Sequence, residues 1–423
     1  MSEHILIFGN GYDIPGRIRA RGKRLGRTYS TSVLCRIDHL AKVEEAGEHA
    51  RIVAVGADAP AAEWTELARA VHAVQPVTRI ATFGDQCQEA AVEAGRALGV
   101  ATHTPETVRL VFDKFAMRRR LAEAGVESIP AAEVPDADAL VAFAAEHGYP
   151  CVVKPRRGTA STGVSVIRSA EEAPAAFARA RGLDGADGAG PEAQVVVEAF
   201  LPGAQYSVEA FSEGGEHVPV AFTRKYSDPA SLVELGHVMP APLDTGQEEE
   251  IRTHLVRALD ALGVEFGPTH TEVVLTEHGP RVIETHLRVG GDEIWNMVTD
   301  ATGVDLVEYQ LRQCTGERVL PDLRAALAGS RHRRGEAIWF AGAPAAGVLV
   351  EVVGADGPHP DGVRVEVLGR AGDRLRGLRS SDSRLAQARA GAATADKALA
   401  LAQEAIGRLE FVTRVTAGEP ELL

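Results

Sequence analysis

Two short runs, residues 269–275 and 281–288, each place an acidic residue among apolar β-formers, and a turn, Glu277-His278-Gly279-Pro280, joins them. Side chains alternate faces along a strand, so a carboxylate among Val and Ile residues is costly unless something pairs it. Glu272 and Glu284 are the two carboxylates, and Arg288 and then Gly290-Gly291 follow. Two such groups on neighbouring strands, next to an arginine, point to a divalent cation facing phosphate oxygens and so to a chain that uses ATP.

At 423 residues the chain has room for two or three domains. Its net charge of -14 argues against a general nucleic-acid or membrane surface. The one short apolar stretch near the start, Ile5-Leu6-Ile7-Phe8, ends at Gly9, too short for a signal-peptide core, and no run reaches transmembrane length. Cys35, Cys87, Cys151 and Cys314 form no CxxC pair. They read as reduced thiols of a cytoplasmic protein rather than a disulfide framework or zinc site.

The first hundred residues alternate strand-like and helix-like runs. Residues 5–8, 51–55 and 78–83 read as strands, and 61–74 and 88–98 as helices, which implies a parallel sheet in an α/β layer. Gly9-Asn10-Gly11 lacks the third glycine of a dinucleotide fingerprint and reads as a tight strand-end turn, with a phosphate site as the alternative. A second region opens near Asp113. It holds helices over 114–124, 137–146, 248–262 and 299–315, and strands over 151–154, 164–167, 194–198, 207–211 and 218–222. Residues 182–190 form a glycine-rich connector. A third region follows the basic linker 330–334, with strands over 337–340, 347–353 and 363–368, a helix over 394–409 and a last strand over 411–415.

Lys154 ends an apolar Cys-Val-Val run and leads into Pro155-Arg156-Arg157-Gly158-Thr159-Ala160-Ser161-Thr162-Gly163. Glycines let backbone N–H groups turn toward a phosphate, and hydroxyls and cations add charge-assisted bonds. The plain alternative is an exposed hairpin, but the ammonium of Lys154 needs a partner. Further on, Val195-Val196-Val197-Glu198-Ala199-Phe200-Leu201-Pro202-Gly203 sets a strand-end glutamate before an apolar segment and a turn. That arrangement suits an adenine amino group on Glu198 with the ring between apolar side chains. It suits equally a carboxylate that caps a turn.

The ordered set is Lys114, Lys154 with its loop, Glu198-Ala199-Phe200-Leu201, Gln205 to Glu209, Gly236 to Pro242, then Glu272, Glu284 and Arg288. It resembles the ATP-grasp superfamily of carboxylate–amine ligases over nearly the whole chain, and most of all the bacterial L-amino-acid (dipeptide) ligase branch. The resemblance implies an α/β (α+β) architecture. An N-terminal parallel-sheet domain would span 1–112. An ATP-grasp body would span 113–328, with a lid at about 150–210, and a small C-terminal α+β domain 335–423. It implies that ATP activates a small carboxylate as an acyl phosphate, and that an amine then displaces phosphate to form an amide. ATP-grasp carboxylases, purine-pathway ligases and non-catalytic nucleotide-binding proteins are the alternatives. By the same resemblance Lys114 and Lys154 hold phosphates with Ser161 and Thr162, and Glu198, Ala199, Phe200 and Leu201 frame the base. Glu272 and Glu284 hold Mg2+, and Arg288 is the catalytic cation. A cytoplasmic homodimer without nucleic-acid or membrane partners is also implied.

Two positions depart from the family pattern. His286 stands where the third metal ligand is commonly Asn; imidazole is a softer ligand, which leaves metal binding, phosphate or substrate contact, a supporting role, or a preference for Mn2+ open. Gln205 stands where a ribose-binding glutamate is often found, with Glu209 as a substitute. His270 shares the strand face of Glu272 and is either a ligand-orienting or a structural histidine. His237 borders the acceptor pocket by resemblance. Lys225 reads as an exposed strand lysine, with a phosphate contact as the alternative. Asp292 and Glu293 either open a helix or face a substrate ammonium.

Overall fold

A computed structural model describes residues 3–182, 193–329, 334–342 and 346–414. The connector beyond Gly182, linker residues 330–333 and Val415 lie outside the described residues.

The N-terminal sheet is parallel, with strand order Arg51–Val55, Tyr29–Arg36, Glu3–Phe8, Arg79–Thr82. Its central strand is a continuous apolar run because both faces are covered. Leu6 and Phe8 pack on one side with Trp64, Ala68 and Ala91, while Ile5 and Ile7 pack on the other with Ile14, Ile18 and Leu311. Helices Ala61–Val74 and Gln88–Leu98 fall where their periodicity places them. Helix Ile14–Leu25 and strand Tyr29–Arg36 were not legible in the pattern. The helix carries Pro15, two glycines and five basic residues, and buries only Ile14, Pro15, Ile18 and Gly22.

An eight-stranded antiparallel sheet forms the body. Its order is Gly279–His286, Phe266–Thr276, Ala204–Glu213, Glu216–Ser227, Glu234–Met239, Gly335–Gly342, Arg384–Ala392, Val363–Val367. The last three strands belong to the C-terminal segment, so that segment extends the central sheet. It also contributes a three-stranded sheet, Arg374–Arg376, Ala346–Val353 and Glu410–Arg414, and helix Ala395–Gly407. One face of the body is apolar: Tyr206, Val208, Phe222, Val273 and Val282 pack against Met117 and Leu121 of helix Lys114–Glu123 and Ile251, Leu255 and Leu259 of helix Thr245–Leu262. The acidic and basic side chains of the candidate site stand on the other face.

One irregularity decides which residues reach that face. Glu272 pairs with Glu284, but Val273 pairs with Val282, so Ile283 is a bulge residue without a partner on the neighbouring strand. The extra residue lets Val282 enter the core while Glu284, two positions on, faces the site.

A smaller antiparallel sheet, in the order Ala131–Val134, Val195–Ala199, Cys151–Pro155, Ser165–Ile167, packs under helices Ala137–His147 and Ala173–Ala180. This sheet overlaps the span of about 150–210 expected for a lid. The layer starts at Ala131, and strand Ala204–Glu213 belongs to the large sheet. The chain crosses between sheets at Pro202-Gly203, where a Cβ on Gly203 would lie 2.3 Å from the carbonyl oxygen of Leu275. The helix expected over 299–315 is two helices, Ile294–Thr302 and Leu306–Cys314. Gly303, at φ 79°, ends the first, and the Asp305 side chain accepts from the Glu308 N–H to cap the second.

Candidate active site

The loop that follows Cys151–Pro155, the segment Glu198 to Leu201 and the polar face of the large sheet enclose one cavity. Lys114, Lys154, Ser161, Thr162, Glu198, Ala199, Phe200, Leu201, Gln205, Glu272 and Glu284 all line it. Val152, Val164, Leu232, Val274 and Ile283 supply apolar walls, and Arg118, Thr159 and Glu234 further polar groups. Ala160 and Ser161 sit at φ 59° and 56°, so the loop turns through a left-handed pair of non-glycine residues. Such backbone persists where surroundings fix it; Ser161 Oγ donates to the Leu232 carbonyl and Ala160 O accepts from the Ser381 N–H.

Charges on the polar face are paired across strands. Lys225 donates to Glu272 and, at 3.2 Å, to Glu234. It is 3% exposed, which corrects its reading as a surface lysine: opposite charges on both sides make burial of the ammonium affordable. Lys114 Nζ lies 3.0 Å from Glu284 Oε2 and donates to the Gly158 carbonyl at 2.6 Å. Burial opposes ionisation of Glu272, but Lys225 and His270 outweigh it and hold the carboxyl down at about 2. Glu284 is likewise held well below the usual range, against its burial, by Lys114 and His286.

Lys154 Nζ donates to Glu198 Oε2 at 2.7 Å, and Arg118 grips both oxygens of Glu198 at 3.1 and 3.2 Å. Burial raises the Glu198 pKa, yet Arg118 and Lys154 bring it to about 2. Gln205 lines the cavity and accepts from Ser227 Oγ at 3.0 Å. Glu209 does not substitute for it. The carboxylate is fully buried behind the cavity, bound to His270 Nδ1 at 2.5 Å and to the Gly290 N–H at 3.0 Å. His270 is therefore also away from the cavity lining, held between Glu209 and Glu272, with Nε2 3.5 Å from Glu272 Oε1. Burial lowers the pKa of this imidazole, but the two carboxylates raise it to about 9.

Arg288 lies beyond Glu284 and takes its orientation from the N-terminal domain: its Nε donates to Asp85 Oδ2 at 2.7 Å. His286 bridges the same carboxylate, Nδ1 to Asp85 Oδ2 at 3.3 Å, and Glu284, Nε2 to Oε1 at 3.2 Å. Its pKa is raised despite burial by both partners. Each ring nitrogen of His286 thus faces a carboxylate oxygen.

The donor set fits a divalent cation without the imidazole. Glu272 and Glu284 are directly opposite across the strands, and hard oxygen donors suit magnesium, which takes one or two carboxylates and completes its shell with phosphates and water. Among the described residues no group of three or more His, Cys, Asp or Glu is placed to hold a metal by itself.

Three contributors escaped the sequence reading: Arg118, Asp85 and Glu234. Arg118 stands one helical turn after Lys114, a spacing that puts both on one face. Asp85 is 203 positions from Arg288, and nothing local marks it. The Asp292 carboxylate faces neither a helix start nor a free space. Arg384 grips it at 2.8 and 2.6 Å and His237 Nε2 lies 3.0 Å away.

The ATP-grasp domain family matches residues 147–295, and the family described as L-amino acid ligase C-terminal domain 2 matches residues 339–414. Residues 147–295 thus match an ATP-grasp domain, and residues 339–414 are similar to the C-terminal domain of L-amino acid ligases. It is similar to an uncharacterized protein, y4rH, of Sinorhizobium fredii, 32% identical over 214 residues, 51% of this chain and 44% of that protein. It is also similar to the alanine–anticapsin ligase of Bacillus subtilis, 28% identical over 233 residues, 50% of this chain and 48% of the ligase. These matches span about half the length of each relative. In fold it matches the crystal structure of an L-amino acid ligase from Bacillus licheniformis, with a TM-score of 0.77 and 18% identity over 97% of this chain and 99% of that one. No helix among the described residues is long and apolar enough to cross a membrane.

Proposed function

We propose that the chain is an ATP-dependent carboxylate–amine ligase that joins an amino acid, or a similar small acid, to an amine. The observation that carries this reading is the cross-strand pair Glu272–Glu284 in a cavity shared with Lys114, Lys154 and the Glu198 to Leu201 segment. Arg288 is fixed just past that pair. The L-amino acid ligase C-terminal domain favours this reading over a carboxylase or a purine-pathway ligase.

In this reading Lys114 and Lys154, with the Ser161–Thr162 loop, hold the ATP phosphates. Ala199, Phe200 and Leu201 flank the base beside Glu198. Glu272 and Glu284 are the residues that would hold magnesium, and a bound magnesium neutralises charge on the phosphate oxygens. His286, between Asp85 and Glu284, orients the Glu284 carboxylate. A substrate carboxylate oxygen bonds to the γ-phosphorus as the bond to the ADP oxygen breaks, giving an acyl phosphate. The amine nitrogen then bonds to the acyl carbon, inorganic phosphate leaves with its electron pair, and the amine loses a proton. Arg288 stabilises negative charge on the carboxylate and on the tetrahedral oxyanion, where a fixed cation contributes most. Closure of the small sheet over the cavity keeps water from the acyl phosphate. Pairing of two copies through their bodies belongs to the same reading, and sedimentation would report it.

Hydroxylamine tests the intermediate. Incubation with ATP, magnesium and an accepted acid yields the acid's hydroxamate in step with ADP. ADP formation with no hydroxamate from any acid tried overturns an acyl-phosphate route.

A further inference from the structure

Arg118 is almost wholly buried, on helix Lys114–Glu123, and is among the residues that line the cavity. A guanidinium has five N–H donors, and here each has an acceptor. Nε meets Glu198 Oε1 at 3.1 Å, and Nη2 meets Glu198 Oε2 at 3.2 Å and the Ile283 carbonyl at 3.0 Å. Nη1 meets Glu127 Oε1 at 3.2 Å and the Val282 carbonyl. Glu127 is itself fixed from behind: its Oε2 accepts from His254 Nε2 at 2.7 Å and from the Val282 N–H at 3.0 Å.

The two carbonyls belong to the bulge that turns Glu284 toward the site. A bulge leaves ladder groups unpaired, and buried unpaired carbonyls are costly. Arg118 satisfies them. It also holds both oxygens of Glu198, on the other sheet, and its own helix begins with Lys114, which reaches Glu284. One side chain thereby ties the small sheet, the lysine helix and the carboxylate strand at a shared point. A lysine has three donors on one nitrogen and cannot span these groups.

The consequence falls on the base. Lys154 and Arg118 together give Glu198 Oε2 two donors, while Oε1 receives one. A carboxylate offers about four acceptor positions, so Oε1 retains a lone pair. Such an oxygen accepts from an exocyclic amino group and repels a carbonyl oxygen.

We propose that Arg118 is the positioning residue that sets purine selectivity in this cavity: it fixes the Glu198 carboxylate so that a 6-amino purine is accepted and a 6-oxo purine is refused. This rests on the reading of the cavity as a nucleotide site. Arg118 acts through Glu198 and touches no reacting atom.

The experiment compares wild type with Arg118→Lys and Glu127→Gln, each first checked for a cooperative thermal transition. ADP and GDP are titrated into each protein with magnesium, and KM and kcat are measured with ATP and GTP. For Arg118→Lys the ADP dissociation constant rises about tenfold, as loss of charge-assisted bonds predicts. The preference for ADP over GDP narrows by a similar factor, and KM for ATP rises more than kcat falls. Glu127→Gln, which leaves the cavity lining intact, shifts the preference in the same direction by a smaller factor. It decides the matter if Arg118→Lys does not fold. Folded variants that keep the wild-type purine preference overturn this proposal alone. A wild-type protein that binds neither ADP nor GDP overturns the nucleotide reading, and this proposal with it.

Discussion

Arg288 carries the chemistry in this account, and two features of its surroundings make it a good oxyanion partner. Asp85 fixes the guanidinium by Nε, and the Nη1 group reaches the Val289 carbonyl. Replacing Arg288 by Ala removes the cation that the transition state needs and leaves the nucleotide contacts in place. Turnover falls by about two to three orders of magnitude, while ADP titration gives an affinity close to wild type. Steady-state rates and calorimetry on the same preparation check both halves. Glu272, Glu284 and Arg288 were legible because a short strand pattern holds all three. Asp85 was not, because its contact with Arg288 exists only once two domains meet. Lys225 was misread for a related reason. Its partners, Glu234 and Glu272, come from two other strands, so the residue looks unpaired until the sheet is assembled.

Elements were legible where one period dominates. Helices Ala61–Val74 and Gln88–Leu98 have apolar stripes at helical spacing, and their bounds follow from them. Helix Ile14–Leu25 was hidden because its stripe is thin among arginines, and the 299–315 helix was split because a glycine in a left-handed turn overrides continuous periodicity. The crossover at Gly203 gives a direct test of packing. A methyl group there meets the Leu275 carbonyl at 2.3 Å, so Gly203→Ala lowers stability by about 1–3 kcal/mol, visible as a reduced denaturant midpoint. The Glu198 strand gives a test of charge. Its folded pKa, about 2, lies below the ordinary 4.5, so the group stabilises the fold above 4.5 and that contribution is lost as pH falls through 2. Urea midpoints measured from pH 5 downward therefore fall less steeply in Glu198→Gln than in wild type, although the variant starts lower because two cations lose their counter-ion.

At the scale of the whole molecule the chain is more continuous than its sequence suggests. The basic linker 330–334 reads as the boundary of a third region, yet Gly335–Gly342, Arg384–Ala392 and Val363–Val367 join the sheet that bears Glu272 and Glu284. The sequence could not reveal this, because antiparallel edge-to-edge pairing leaves no periodic trace of its partner. The C-terminal segment also touches the site directly: Ser381 Oγ donates to Glu234 at 3.1 Å, and Arg384 grips Asp292, four residues past Arg288. The cavity, Arg288 and the C-terminal turn thus form one assembly. Amide formation is the reaction proposed for it. The direct measurement supplies purified protein with ATP, magnesium and a panel of amino-acid pairs, and follows phosphate release together with the mass of the product. Phosphate released in step with a new amide, from at least one pair and in no reaction lacking ATP, is the predicted result. A folded protein that binds ADP but forms no amide from any pair, or that releases phosphate only with bicarbonate, would contradict it.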